Sequence, residues 1–293
     1  MLGTQSRSRL SAMKRDLKEW AAHGIFLASA LFGILMLALL LAILLRDGAG
    51  GLHWGFITNL PSRFPDMSGI KVALLGTLWV MAFTALFSFP LGVGTALYLE
   101  EYAPKNWVTR VLQVNISNLA GVPSVVYGIL GLALFVRFLS LDRSVLSGAL
   151  TMSLLILPIV IVTSQEAIKS VPNDYKQASY ALGASRWQTI WYVVLPRAFP
   201  FILTGTILAM SRAIGETAPL LIIGAFGYLN FSPASPTDPF TVLPIQLFNW
   251  TSRPQDEFRD IAASAIIVLL LVLLTMNAGA IFLRAKFRGG PEE

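Results

Sequence analysis

An arginine and a glutamate stand four residues apart in the run Met210–Gly224, MSRAIGETAPLLIIG, which is otherwise apolar on both sides. If the run is helical, Arg212 and Glu216 share one face and can neutralise each other. An arginine near the centre of a bilayer is disfavoured by about 2.5–3.5 kcal/mol on insertion scales, so its retention asks for a reason. Three readings stand side by side. The pair is a self-satisfied clamp that fixes this helix against its neighbours. Alternatively, Arg212 lines a wet path and offers its planar fork of donors to a passing oxyanion. In the third reading, Glu216 is a gate or counter-ion that holds Arg212 until an anion displaces it. The last two combine into one mechanism, in which the charge is never left alone.

The residues around the pair suit a path better than a plain span. Thr217 offers a hydroxyl. Gly215 and Pro219 interrupt the backbone pattern, and Pro219 removes a donor and can kink the helix. Irregular backbone at membrane depth is tolerated where it lines a cavity. Pro123 makes a similar interruption, which brings in Ser124 and Tyr127 as further path candidates; the competing readings are a serine bonded to its own helix and a packed tyrosine. Cysteine is absent, and His23 and His53 have no ligand-like neighbours, so no metal centre is expected.

These residues must be held by a membrane protein. The chain has 293 residues, 55% hydrophobic and 13% charged, with mean hydropathy +0.67; soluble domains carry about 25% charged residues. Segments at Gly24–Leu45, Val72–Leu99, Leu119–Leu139, Val145–Gln165, Ala198–Leu221 and Ile261–Leu283 each approach the roughly 20 apolar residues that cross a bilayer. The first follows a basic stretch but is long for a signal peptide and lacks a cleavage pattern, so it is expected to be a retained anchor. In a helix beginning at Ala198, Arg212 lies roughly 20 Å along the axis, with Glu216 one turn further on the same face. The expectation is an all-α polytopic fold of six transmembrane helices.

Lysine and arginine are distributed unevenly about these spans. The tail 1–23 (Arg7, Arg9, Lys14, Arg15, Lys18), the loop 166–197 (Lys169, Lys176, Arg186, Arg197) and the end of the chain (Arg284, Lys286, Arg288) fall on one side with Lys105 and Arg110. Fewer fall on the other side, among them Arg46, Arg63 and Lys71. The bias predicts cytoplasmic tails at 1–23 and 286–293, a cytoplasmic loop at 166–197 and an external loop at 222–260. The net charge of +6 therefore reports orientation, and no nucleic-acid partner is implied.

The loop 166–197 carries a second candidate site. Asn173 is a fair helix cap. Ala178, Ala181 and Leu182, then Trp187, Ile190 and Trp191, recur at helical spacing, and Gly183 is the expected break between two short helices. The pattern fits an interfacial connector and a docking element equally well. The loop resembles the cytoplasmic signature of MetI-like (type I) ABC importer permeases: Glu-Ala-Ala, three residues, Gly, nine residues, Ile-x-Leu-Pro. Here it reads Gln177-Ala178-Ser179, Gly183 and Val193-Val194-Leu195-Pro196. Gln177 replaces a glutamate with an amide that still hydrogen-bonds; Ser179 and Val193 also depart from the pattern. The runs AGVPSVVYGILGL (Ala120–Leu132), SRAIGETAPLLIIGA (Ser211–Ala225) and LPIQLFNWTSRPQDEF (Leu243–Phe258) resemble phosphate-specific permeases of the PstA type. The likeness covers a permease core of about 70–285.

The resemblance implies an inorganic phosphate importer. In such systems this permease pairs with a sister permease, PstC, to form one path; two copies of the ATPase PstB sit beneath, and the periplasmic binding protein PstS delivers phosphate. ATP and Mg belong to the ATPase, so this chain is expected to bind no cofactor and to be no enzyme; no G-x-x-x-x-G-K-[ST] pattern occurs in it. The resemblance also implies that Gln177, Ala178, Ser179, Tyr180, Ala181, Leu182, Gly183, Ala184, Ser185, Arg186 and Trp187 form the coupling element, and that Arg212 and Glu216 take part in phosphate passage. Permeation of another oxyanion, such as molybdate or sulfate, is the near alternative. A stand-alone anion channel or carrier is the more distant one, and would need no ATPase dock. The expected setting is the bacterial inner membrane.

Overall fold

A computed structural model describes residues 2–225 and 227–288, with side chains from residue 19 onward except those of 280, 283 and 286–288. The end of the 286–293 tail lies outside the described residues, as do the side chains of Arg7, Arg9, Lys14, Arg15, Lys18, Lys286 and Arg288. The described elements are all helical: α1 (Leu2–Gly48), α2 (Trp54–Thr58), α3 (Lys71–Leu97), α4 (Trp107–Leu119), α5 (Ser124–Gly131), α6 (Val145–Lys169), α7 (Asn173–Ala181), α8 (Arg186–Thr189), α9 (Leu195–Gly215), α10 (Ala218–Ile223), α11 (Leu243–Thr251) and α12 (Glu257–Arg288). Wider π-type turns extend α3 to Tyr102 and α5 to Phe138, and join α8 to α9 through Ile190–Val194.

Five helices are long and apolar enough to cross a membrane, and the bent pair α4/α5 makes up to six. Four of the expected spans fall within continuous helices. The other two are corrected. The third, expected as one helix over Leu119–Leu139, is α4 followed by α5, bent by 102° across residues 120–123. Pro123 is the residue before α5, where its missing N–H costs nothing. The fifth, expected over Ala198–Leu221, starts earlier and ends at Gly215; Glu216 is extended (φ −80°, ψ 119°) and α10 begins at Ala218. Pro219 therefore does not kink a continuing helix. It occupies the first turn of a new one.

α6 is the central element, packed against α3, α5 and α9. Small residues let these helices approach closely. A Cβ on Gly92 would meet Val160 Cγ1 at 2.6 Å, and one on Gly205 would meet Thr163 Cβ at 2.5 Å. Without water, packing and interhelical hydrogen bonds hold such helices together. Thr84 Oγ1 bonds Val80 O and reaches Ala149 O at 3.3 Å, while Ser153 Oγ bonds Ala149 O and reaches Thr84 O at 3.3 Å. These hydroxyls cross-link α3 and α6 inside a core of Met152, Ile156 and Val160. Ser144 and Ser147 form a reciprocal cap at the start of α6.

The region 222–260, read from sequence as a loop, holds the buried helix α11, whose Leu243 and Trp250 pack with Phe56, Ile70 and Phe258. At the other extreme, α1 from residue 19 onward is almost wholly uncovered by the described residues and touches them near its end, where Ser264 Oγ donates to Gly48 O at 2.8 Å.

Candidate functional site

Arg212 lies in the last turn of α9, where a cation is favoured by the partial negative charge of the helix end. Measured from Leu195, it stands roughly 25 Å along the axis, past the midpoint of a layer about 30 Å thick. Glu216 is the first residue beyond the helix, not one turn further on its face as expected. Its N–H bonds Ala213 O at 3.1 Å, which turns the chain back. The pair survives this break: Arg212 Nε is 3.5 Å from Glu216 Oε1, with side chains 53% and 21% exposed. The contact is ionic rather than a forked hydrogen bond, and the guanidinium makes no hydrogen bond to any described residue. Half of it remains open for another acceptor.

The other path candidates cluster around the two breaks. Thr217 precedes α10 and is half-buried, Gly215 is exposed, and Pro219 is buried. α5 and α10 touch where Gly128 faces Pro219: a Cβ there would lie 2.8 Å from Pro219 Cα. Ser124 is half-buried at the start of α5, and its hydroxyl is hydrogen-bonded to no described residue. Tyr127 is buried, and its hydroxyl donates to Leu119 O at 2.7 Å, tying α5 to the end of α4 across the bend. Sequence reasoning missed Asn277 of α12, whose Oδ1 is 2.5 Å from Ser211 Oγ, next to Arg212. A side-chain amide inside the last apolar span was the available signal.

The second site, α7–α8, is a helix–turn–helix. Pro172, rather than Asn173, precedes α7; Asn173 is its first residue and caps nothing. Gly183 has φ +82°, a conformation that glycine adopts without a Cβ penalty. Its N–H bonds Tyr180 O and that of Ala184 bonds Ser179 O, so both close the end of α7 in a glycine-terminated cap. Ser185 then caps α8, accepting from Gln188 N while its own N–H donates to Gln188 Oε1 at 2.8 Å. Ser179 and Thr189 hydroxyls meet at 2.9 Å across the turn.

The outer side of this unit is uncovered. Leu182 is 90% exposed, Tyr180 and Trp187 are exposed, and Gln177, Ala178, Ala181 and Arg186 are exposed with them. Trp187 and Trp191 stack at 5.4 Å. Leu182, Gly183, Ala184 and Gln188 line a shallow cleft of about 370 Å³ with Tyr192. The inner side is tied down: Lys176 pairs with Glu101, Arg186 lies over the Tyr102 ring at 5.1 Å, and Arg197 lies over the Tyr175 ring at 4.2 Å. The geometry is a helix–turn–helix tied to the bundle on one side and uncovered on the other. Among the described residues no cluster of His, Asp and Glu could hold a metal ion.

Known proteins share this plan. Residues 88–287 match the family described as binding-protein-dependent transport system inner membrane component. The probable ABC transporter permease protein YqgI of Bacillus subtilis (strain 168) is 33% identical over 92% of this chain and 95% of its own. The phosphate transport system permease protein PstA 1 of Mycobacterium tuberculosis (strain CDC 1551 / Oshkosh) is 31% identical over 93% of this chain and 90% of its own. A solved bacterial alginate ABC transporter, in complex with alginate pentasaccharide-bound periplasmic protein, has a chain of the same fold: TM-score 0.64 at 17% identity, covering 90% of this chain and 93% of that one. Long apolar helices, the helix–turn–helix of α7 and α8 and a matched family region lead to one conclusion: this chain belongs to the binding-protein-dependent inner membrane component family, as a MetI-type ABC importer permease subunit of the inner membrane and not itself an enzyme.

Proposed function

We propose that this permease conducts inorganic phosphate, as one half of a path completed by a PstC-type sister permease. Two PstB-type ATPases would supply ATP hydrolysis with Mg, and a PstS-type binding protein would deliver phosphate from outside. The observation that carries the reading is Arg212, which ends α9 just before the break, is half-exposed, and is held by Glu216 through Nε alone. Phosphate oxygens accept from the open side of the guanidinium, and Glu216 retakes the cation when phosphate leaves. Competition of this kind gives weak, exchangeable binding, which passage requires. Thr217 follows the pair directly, and Ser124 and Tyr127 belong to α5, on which α10 packs; Gly215, Pro219 and Pro123 supply the irregular backbone. The relatives named as phosphate permeases support the same substrate.

In this reading residues 177–187 dock on the ATPase, and both termini face the cytoplasm with the loop 166–197. The test is ATP-driven phosphate uptake into proteoliposomes holding both permeases, the ATPase and the binding protein. Arg212→Gln is expected to reduce uptake by roughly two orders of magnitude, the scale of losing one charge-assisted contact. Glu216→Gln is expected to leave slow or leaky uptake. Wild-type uptake in Arg212→Gln would return the pair to a packing role. Faster uptake of molybdate or sulfate than of phosphate would change the substrate and leave the fold assignment intact.

A further inference from the structure

Beside the transport path, and separate from it, the structure has a polar cavity of about 480 Å³ where the end of α3 meets α4 and the end of α6. Glu100, Lys105, Trp107, Arg110, Gln113 and Lys169 line it. The one carboxylate in that set is already engaged: Lys169 Nζ is 3.2 Å from Glu100 Oε1, and Gln165 Nε2 donates to the same oxygen at 2.8 Å. Lys105 and Arg110 pair with no described carboxylate. The cavity therefore has two cations to spare. α4 gains nothing from them, because positive charge at the start of a helix opposes its dipole.

The helix that roofs this cavity is placed as an interfacial helix would be. α4 turns 102° away from α5, so it runs across the direction of the span. None of its residues is buried. Trp107, Val111, Leu112 and Val114 are exposed, the tryptophan 75%. Thr109, Arg110 and Gln113 line the cavity together with Trp107. An amphipathic helix of this kind lies in the headgroup region with its apolar face toward acyl chains, and tryptophan favours the same depth. Basic pockets between membrane helices at that level hold anionic headgroups.

We propose that this cavity binds the headgroup of an acidic phospholipid. Lys105 and Arg110 take the phosphodiester, and Trp107 with the valine and leucine side of α4 takes the glycerol and acyl chains. The bound lipid would rest beside Lys169, which pairs with Glu100, the neighbour of the Glu101 that grips α7, so it would stiffen the junction on which α7 is mounted. The chemistry of the headgroup is shared by free phosphate, and the difference lies in the acyl chains, for which α4 offers an apolar face.

The test is lipid retention by the purified, delipidated full chain in neutral detergent, read by native mass spectrometry during titration with phosphatidylglycerol or phosphatidylcholine. Wild type is expected to hold phosphatidylglycerol in preference. Lys105→Gln with Arg110→Gln is expected to weaken phosphatidylglycerol by on the order of tenfold to thirtyfold, as the loss of two headgroup cations predicts, and to leave phosphatidylcholine unchanged. Arg63→Gln with Arg259→Gln, two exposed arginines elsewhere, should change the retention of neither lipid. Equal phosphatidylglycerol retention by wild type and the first double variant would overturn the proposal. So would an equal loss in the second double variant, which would mean only general surface charge. Displacement of the lipid by inorganic phosphate at matched concentration would overturn it in favour of a free-anion site. None of these outcomes depends on the transported substrate.

Discussion

Lys176 Nζ lies 2.5 Å from Glu101 Oε1, and the two side chains are only 18% and 7% exposed. This ion pair joins α7 to the cytoplasm-proposed end of α3, one of the two helices at the core of the bundle. Removing one partner leaves the other charge buried alone, which costs about 3–5 kcal/mol for a fully buried pair and less here because Lys176 keeps some solvent. Glu101→Leu and Lys176→Met are each expected to lower the thermal midpoint of the detergent-solubilised chain. The double variant Glu101→Leu with Lys176→Met is expected to regain much of that loss, since two apolar groups leave no orphaned charge. Strictly additive effects in the double-mutant cycle would show that the pair is not coupled.

Gly183 offers a cleaner probe of the outer face. With φ +82°, any L-residue there carries backbone strain of about 1–2 kcal/mol, and this falls equally on Gly183→Ala and Gly183→Arg. A Cβ at this position meets nothing within 4 Å, so the chain itself has room for either side chain. A difference between the two variants therefore reports a partner surface. Gly183→Ala is expected to keep most ATP-driven uptake in reconstituted liposomes, and Gly183→Arg to abolish it while both insert normally. Equal uptake in the two would remove the docking role from the turn.

Gly128 fixes the relation between the two helix breaks. Its Cβ would lie 2.8 Å from Pro219 Cα and 3.0 Å from Pro219 O, backbone atoms that no rotamer change can move. Gly128→Val must push α10 away from α5, an overpacking cost of about 1–3 kcal/mol. The break that carries Glu216 should move with it. The expected result is a lower thermal midpoint and reduced phosphate uptake, compared with Gly94→Val, where the added Cβ meets open space. A Gly128→Val chain as active and as stable as wild type would mean that α10 shifts without consequence for the path.

The spans were legible because a bilayer demands long apolar runs, and α3, α6 and α12 are long apolar runs. Direction was not legible, because hydropathy does not register a turn. Leu119-Ala120-Gly121-Val122 stays apolar through a 102° bend, and Gly215 to Ala218 interrupts α9 within a stretch that reads as one span. Both breaks did carry a signal in Pro123 and Pro219, which favour a helix start as much as they disfavour a helix interior. α11 escaped notice because nine residues are too few for a span and follow a proline-rich stretch. Gly183 was legible as a break because glycine there closes a helix locally. The Lys176–Glu101 pair was not, since its members are 75 positions apart and only the fold brings them together.

The absence of cysteine in this chain makes orientation directly measurable, because each introduced thiol is then the sole one. Leu182, 90% exposed at the end of α7, and Trp54, 79% exposed in α2, sit on opposite sides of the span set in the orientation proposed from the lysine and arginine bias. Both lie outside the long apolar helices, so a thiol at either is open to water and reactive with maleimide. In intact spheroplasts, a membrane-impermeant maleimide is expected to label Trp54→Cys and to spare Leu182→Cys until the membrane is opened. Inside-out vesicles should reverse the pattern. Labelling of Leu182→Cys in intact spheroplasts would invert the whole topology, place α7 and α8 outside, and remove them from reach of any ATPase in the cytoplasm.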